Sequence, residues 1–249
     1  MFKNYAHYYN LLYKDKEYTA ECAHVDALIQ QFSKPGVSKL LDIGCGTGRH
    51  AHGMTELGYR VAGIDQSEEM INSAKARAIP GAEFQVGDAT SFKLGRSFDI
   101  VTSLFHVISY QTTNLAVQQT FARAAEHLNT GGLFIFDFWY GPAVVTERPA
   151  VRIKRLEDEK IKVTRLTEPV WKCNENVVDV HFELLITDKA TDQVETVKEL
   201  HPMRYFFKPE MELFLDVAGF SLKYCKEWIT GNEPSDHTWG VCCVAEKKY

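Results

Sequence analysis

"KLLDIGCGTGRH", residues 39–50, runs from an apolar strand into a turn with glycines at 44, 46 and 48. Glycines between a strand and a helix let a ligand approach backbone that a β-carbon would block. The helix beyond offers unpaired N–H groups. A dinucleotide turn reads G-x-G-x-x-G, and here Arg49 stands where the third glycine belongs. A phosphate-binding Gly-Lys-Ser/Thr is absent. The strand carries an acid, Asp42, just before the turn. A carboxylate there repels a pyrophosphate and suits a cationic ligand.

The next two strands end in acids as well. Asp65 closes "VAGID" and is placed to accept ribose hydroxyls. Asp88, in "QVGDAT", can take an adenine amino group. From residue 39 to residue 139 strand and helix patterns alternate, which predicts βαβ units and a parallel α/β sheet. Ser67 is the expected N-cap of the helix over "SEEMINSAKARA". After Pro142 the texture changes to partly alternating strands split by "EDEK" and "DKATD". These are expected to form an antiparallel insertion of about four strands over residues 143–207. A helix over "KPEMELFLDVAGF" and two closing strands, antiparallel at the sheet edge, complete the chain. The expected organisation is an N-terminal aromatic lid and helix (1–38), a core (39–142 and 208–249) and the insertion.

The chain has 249 residues, 45% hydrophobic and 24% charged, with a net charge of -5. No basic block marks it for nucleic acid. No apolar run approaches the roughly 20 residues of a membrane span. Six cysteines without a CxxC pair read as reduced, buried thiols, and no metal site is expected. Cys242 and Cys243, adjacent in a strand, face opposite sides. A cytoplasmic protein is the expectation.

In this order "LLDIGCGTGRH", "GIDQSEEMI", "GDA" and "FDIVTSLF" resemble the class I S-adenosylmethionine-dependent methyltransferases. The resemblance implies a Rossmann-like seven-stranded sheet with an antiparallel final strand, and S-adenosyl-L-methionine as cofactor. It also implies roles by position. The turn of Gly44, Gly46 and Gly48 faces the methionine part, Asp65 holds the ribose, and Asp88 with Ala89 contacts adenine. Leu104 or Phe105 lies beside the methyl group. Tyr18, Asp42, Arg49, Gln66 and Met70 complete the expected donor set. Met70 also has a plainer reading as a core residue.

A longer likeness extends beyond the core. "YYNLLY", "SFDIVTSLFHVISY", "VTRL", "VDVHFEL" and "PMRYFFKPEMELFLDVAGFS" are similar to the sugar-nucleotide N,N-dimethyltransferases that make dimethylamino sugars. That similarity implies a small-molecule acceptor bearing a diphosphate and an amino group. Arg165 and Arg204 would grip the phosphates. Tyr9, Trp139 and Tyr140 would wall the acceptor pocket, the aromatics favouring a cationic amine. His106, Tyr110 and His181 are the candidate catalytic groups. Each has a plainer reading, as a strand-edge arginine, a packed ring or a satisfied loop group. The insertion would bind the acceptor, pair two subunits as a homodimer, or both. Methylation of another small molecule, at oxygen or nitrogen, stays open beside this reading. A non-catalytic partner subunit is the remote alternative, and the intact glycines and acids argue against it.

Overall fold

In the computed structural model, which describes residues 11–12 and 16–249, β1 (Lys39–Ile43) is the axis of the sheet. Leu40 through Ile43 are all buried, as a strand flanked on both edges and covered on both faces requires. β2 (Arg60–Asp65) and β3 (Ala82–Val86) lie parallel on one side, β4 (Phe98–Ser103) and β5 (Leu128–Tyr140) parallel on the other.

Helices α1 (Tyr18–Phe32), α2 (Arg49–Glu56) and α3 (Glu68–Ala76) cover one face. α4 (Asn114–Glu126) and α6 (Lys208–Val217) cover the other. The alternation of β5 serves both layers. Phe134, Phe136 and Phe138 enter the α4/α6 cluster, and Leu133 and Ile135 the α1–α3 cluster. Each buried phenyl contributes about 1.5–3 kcal/mol. Ser67 caps α3 as expected, accepting the Met70 N–H at 3.3 Å. Thr113 does the same for α4 through the Ala116 N–H at 3.1 Å. Each cap stabilises its helix by about 1 kcal/mol.

The closing strands β10 (Phe220–Glu227) and β11 (Gly240–Lys247) pair antiparallel. β11 also runs antiparallel to β5, so it lies inside the sheet and β10 alone takes the edge. The core is thus seven-stranded with one reversed strand. Cys242 and Cys243 do face opposite clusters. All six thiols are free, and Cys173 alone among them is exposed, against the expectation of burial.

The short helix α5 (Gly141–Glu147) leads into the insertion. Its strands are β6 (Arg152–Glu157), β7 (Ile161–Lys172), β8 (Val177–Asp188) and β9 (Val194–Phe206), all antiparallel neighbours. Pro169 is tolerated within β7 because β6 pairs with β7 only as far as Thr167, leaving one edge open there. One face of this sheet is buried. Val163, Leu184, Ile186 and Val197 pack on Leu11 and Leu12, and Val178, Val180, Met203 and Tyr205 pack on Val144, Trp139 and Trp239. β9 joins β5 in parallel through Trp139–Tyr205 and Tyr140–Phe206, beyond the point where β4 stops at Ser103. The insertion therefore continues the seven-stranded core into one sheet of eleven strands among the described residues. No described helix is long and apolar enough to cross a membrane.

Candidate active site

The glycine turn is anchored by backbone. The N–H groups of Gly44 and Cys45 donate to the Ile64 carbonyl at 2.8 and 2.9 Å. Gly44, Gly46 and Gly48 all have positive φ, at 77°, 53° and 77°. At Gly44 a β-carbon would lie 2.5 Å from Val107 Cγ2, so packing itself demands glycine. Gly46 differs: a β-carbon there meets nothing among the described residues within 4 Å. Its bare backbone faces open space, which leaves room for a ligand. Gly48 precedes α2 without supplying a side-chain cap, so the first-turn N–H groups lack that partner.

The acids around this turn are held in different ways. Asp42 is 2% exposed. Its Oδ1 accepts from Thr102 Oγ1 at 2.9 Å, while its buried Oδ2 has no hydrogen-bond partner among the described residues. Burial pushes its carboxyl up, against the charge of His50 and the Thr102 hydrogen bond. An unpaired buried carboxylate oxygen costs free energy by itself and fits a cationic ligand beside the turn. Asp65 accepts the Gly46 N–H at Oδ2 and the Ser67 N–H at Oδ1, both at 2.9 Å. It ties the turn to the start of α3, and each oxygen keeps capacity for one more donor. Met70 is buried beside them and Gln66 is exposed. Asp88 is exposed and turns back to accept the Thr90 N–H at 2.7 Å. Ala89 packs against the core.

α1 brings its first turn to this place. Tyr18 lies edge-on to His50 at 5.0 Å, with the Arg49 guanidinium carbon 5.2 Å from its ring. Glu21 accepts from Lys16 at 2.6 Å and pairs with His50 at 2.7 Å. Burial raises the Glu21 carboxyl, but the hydrogen bonds and charges of His50 and Lys16 together hold it below its ordinary value. Tyr18, Asp42, the three glycines, Arg49 and Asp65 are thus gathered around one turn.

Past β4 the backbone is strained. Leu104 is buried, and Phe105 and His106 both take left-handed φ, 66° and 62°. Such residues cost about 1–3 kcal/mol each and persist only where their surroundings hold them. Lys16 Nζ sits 3.9 Å over the Phe105 ring. Asp137, 1% exposed in β5, accepts the His106 N–H at 2.9 Å through Oδ1. Its Oδ2 lies 2.9 Å from His106 Nδ1, a charge contact off the line of a hydrogen bond. His106 then stands edge-on to Trp139 at 6.4 Å.

The other acceptor residues divide. Arg165 lies on the buried face of the insertion, its guanidinium 4.6 Å over Phe182 and its Nε buried without a partner among the described residues. Tyr110 Oη meets His201 Nδ1 at 2.9 Å. His181, by contrast, is exposed on the outer face, opposite Leu200. One residue of strand alternation turns it away from His106 and Tyr110. Arg204 shares that outer parity, where Asn114 at 2.8 Å and Glu210 hold it, so it does not converge with Arg165. Tyr140 alternates with Trp139 and packs in the core; burial, with Cys225 and Cys243, pushes its phenol up. Tyr9 lies outside the described residues.

Four groups escaped the sequence reading: Glu21, Asp137, Glu199 and His201. The acid within the apolar run "FIFDFW" was a usable signal, since a charge buried in a strand demands a partner. Glu199 and His201 carry no comparable local mark.

The profile of a methyltransferase domain matches residues 40–132. The chain is 30% identical over 223 residues to the dTDP-3-amino-3,4,6-trideoxy-alpha-D-glucopyranose N,N-dimethyltransferase of Streptomyces venezuelae, covering 89% of this chain and 92% of that protein. Among solved structures, DesVI of Streptomyces venezuelae superposes with a TM-score of 0.81 at 27% identity, over 98% of this chain and 99% of that one. The S-adenosylmethionine-bound amino pentose methyltransferase of Micromonospora echinaspora superposes with a TM-score of 0.77 at 25% identity, over 99% and 98%.

Proposed function

We propose that this chain, which belongs to the class I S-adenosylmethionine-dependent methyltransferase family, N-methylates the amino group of a nucleotide-linked amino sugar. The methyl donor is S-adenosylmethionine, which supplies an electrophilic methyl group on a positively charged sulfur. The residues present fit it. Asp42 offers a buried unpaired carboxylate oxygen, Gly46 leaves open space, and Asp65 keeps acceptor capacity for ribose. In this reading Tyr18 and Arg49 take the methionine end, and Met70 and Asp88 the adenine.

The acceptor reading rests on one observation. The likeness to the Streptomyces venezuelae dimethyltransferase covers 89% of this chain, running through the insertion rather than ending with the donor turn. The buried face of the insertion carries Arg165, whose unpaired Nε suits a diphosphate. Trp139 walls the acceptor side. The amine must present a lone pair to the methyl group, so a nearby residue must take its proton. Tyr110 fills that role in this reading. His106, held twice by Asp137, fixes the turn that positions both the donor and Tyr110.

The test is mass spectrometry of dTDP-linked amino sugars incubated with the protein and S-adenosylmethionine. The expected result is a gain of one or two methyl units on the amine. No gain on any amino sugar, with ready methylation of a free amine or a hydroxyl compound, overturns the reading.

A further inference from the structure

Tyr110 ends the 3₁₀ turn after β4 and is 43% exposed, while its hydroxyl is engaged from the insertion. Its Oη lies 2.9 Å from Nδ1 of His201, and Nε2 of the same ring lies 3.0 Å from Oε2 of Glu199. His201 and Glu199 are two apart on β9, so both project from the buried face of that sheet. Their side chains are only 22% and 17% exposed. Phe182 tilts against the imidazole at 4.9 Å and carries the Arg165 guanidinium on its ring. Among the described residues, the charged and titratable groups around the imidazole are Glu199 on its own strand, Tyr110 from the turn, and Arg165 across Phe182.

We infer that Glu199, His201 and Tyr110 form a proton path that takes the acceptor amine's proton into the insertion; this rests on the reading that the acceptor is an amine. A carboxylate only accepts, a phenol donates one hydrogen, and a neutral imidazole donates one and accepts one. Both contacts are satisfied together when Nε2–H donates to Glu199 and the Tyr110 hydroxyl donates to Nδ1. In a neutral ring the carboxylate therefore selects the tautomer, and with its proton directed at Nδ1 the Tyr110 oxygen acts toward the amine as an acceptor. When an ammonium meets Tyr110, its N–H bond breaks and the electron pair stays on nitrogen. A new O–H bond forms at Oη as the original hydroxyl proton passes to Nδ1. His201 becomes an imidazolium and Glu199, still ionised, stabilises it, as the carboxylate of a serine-protease triad does. The freed lone pair then forms the N–C bond, and the S–C bonding pair leaves with sulfur. In this path His201 and Glu199 act through the Tyr110 hydroxyl, so they are positioning residues for Tyr110. Their place on β9 links acceptor chemistry to the insertion.

The experiment has two arms. Long-range ¹H–¹⁵N spectra of ¹⁵N-histidine protein, without acceptor, read the His201 tautomer. The wild type should show Nε2–H alone, and Glu199→Gln should show a mixture. In the second arm, Glu199→Gln and His201→Gln should lower kcat on an amino-sugar acceptor about 100-fold, with KM for donor and acceptor within twofold of wild type. The acid limb of the kcat profile should move, and Glu199→Asp should restore most of the rate. An Nδ1–H tautomer in the wild type overturns the path. So do variants with wild-type kcat and pH profile on an acceptor that the wild type methylates, and that outcome leaves the amino-sugar reading standing. The expected tautomer with no amine methylated at any pH overturns the path together with the amino-sugar reading.

Discussion

The donor turn and the buried face of the insertion both carry carboxylates, arginines and aromatics, but they are assembled over different distances. At the turn, Asp65 reaches the Gly46 N–H 19 residues away and the Ser67 N–H 2 residues away. Most partners there are backbone groups at the ends of neighbouring parallel strands. In the insertion, Tyr110 meets His201 across 91 residues, side chain to side chain. Arg165 is positioned by Phe182 on an adjacent strand. Backbone at a strand end is placed by the sheet whatever the side chains are. A side-chain pair between β9 and the core exists only in one register. The donor half should therefore fail through loss of single local bonds, and the acceptor half through loss of alignment.

The sharpest way to break this contrast is Asp65→Ala. The substitution removes the proposed ribose acceptor and two turn hydrogen bonds together. Affinity for S-adenosylhomocysteine, by calorimetry, should fall about 100-fold, or about 3 kcal/mol, as expected for hydrogen bonds to a charged group. Affinity within threefold of wild type would remove Asp65 from the donor site. A smaller effect is expected for Arg165→Ala. Protection of the protein by thymidine diphosphate in thermal shift should weaken about tenfold in apparent affinity. S-adenosylhomocysteine binding should not change if, as proposed, the two halves hold their ligands separately. Parallel losses at both sites would merge them.

The smallest expected effect is at Glu21. Because its folded carboxyl is held below the ordinary 4.5, its contribution is complete above that pH and fades as pH falls through the lower folded value. Glu21→Gln should therefore cost about 1 kcal/mol at neutral pH. The difference in Tm from wild type should close as the pH drops below 4.5. A gap that stays constant into strong acid would show that Glu21 contributes by shape rather than charge.

The same contrast explains what could be read in advance. The turn glycines, Asp42, Asp65 and the Ser67 cap were legible because each is fixed by the local change from strand to helix. The alternation of strands and helices, and the four-stranded insertion, were legible from hydrophobic periodicity. His181, Arg204 and Tyr140 were misplaced for a shared reason. A strand shows its side chains to alternate faces, and a strand with polar residues on both faces does not say which one is buried. In "VDVHFEL" the buried parity holds Phe182 and Leu184, which turns His181 outward. Tyr140 follows Phe134, Phe136 and Phe138 into the core, and Trp139 takes the other side. Asp137 was hidden in an apolar run, although the demand of a buried charge for a partner was there to be read.

By itself the sequence determined a parallel α/β core, an antiparallel insertion after the fifth strand, and a glycine turn flanked by acids that suits a positively charged nucleoside. Those features depend on residues close together along the chain, so pattern and spacing suffice. Only the tertiary structure decided that β9 continues the sheet from β5, that Asp137 holds the left-handed turn at His106, and that His201 and Glu199 reach Tyr110. Each of these is a contact between distant segments, set by strand register and by which face of a strand is buried, and neither is written in any one stretch of residues.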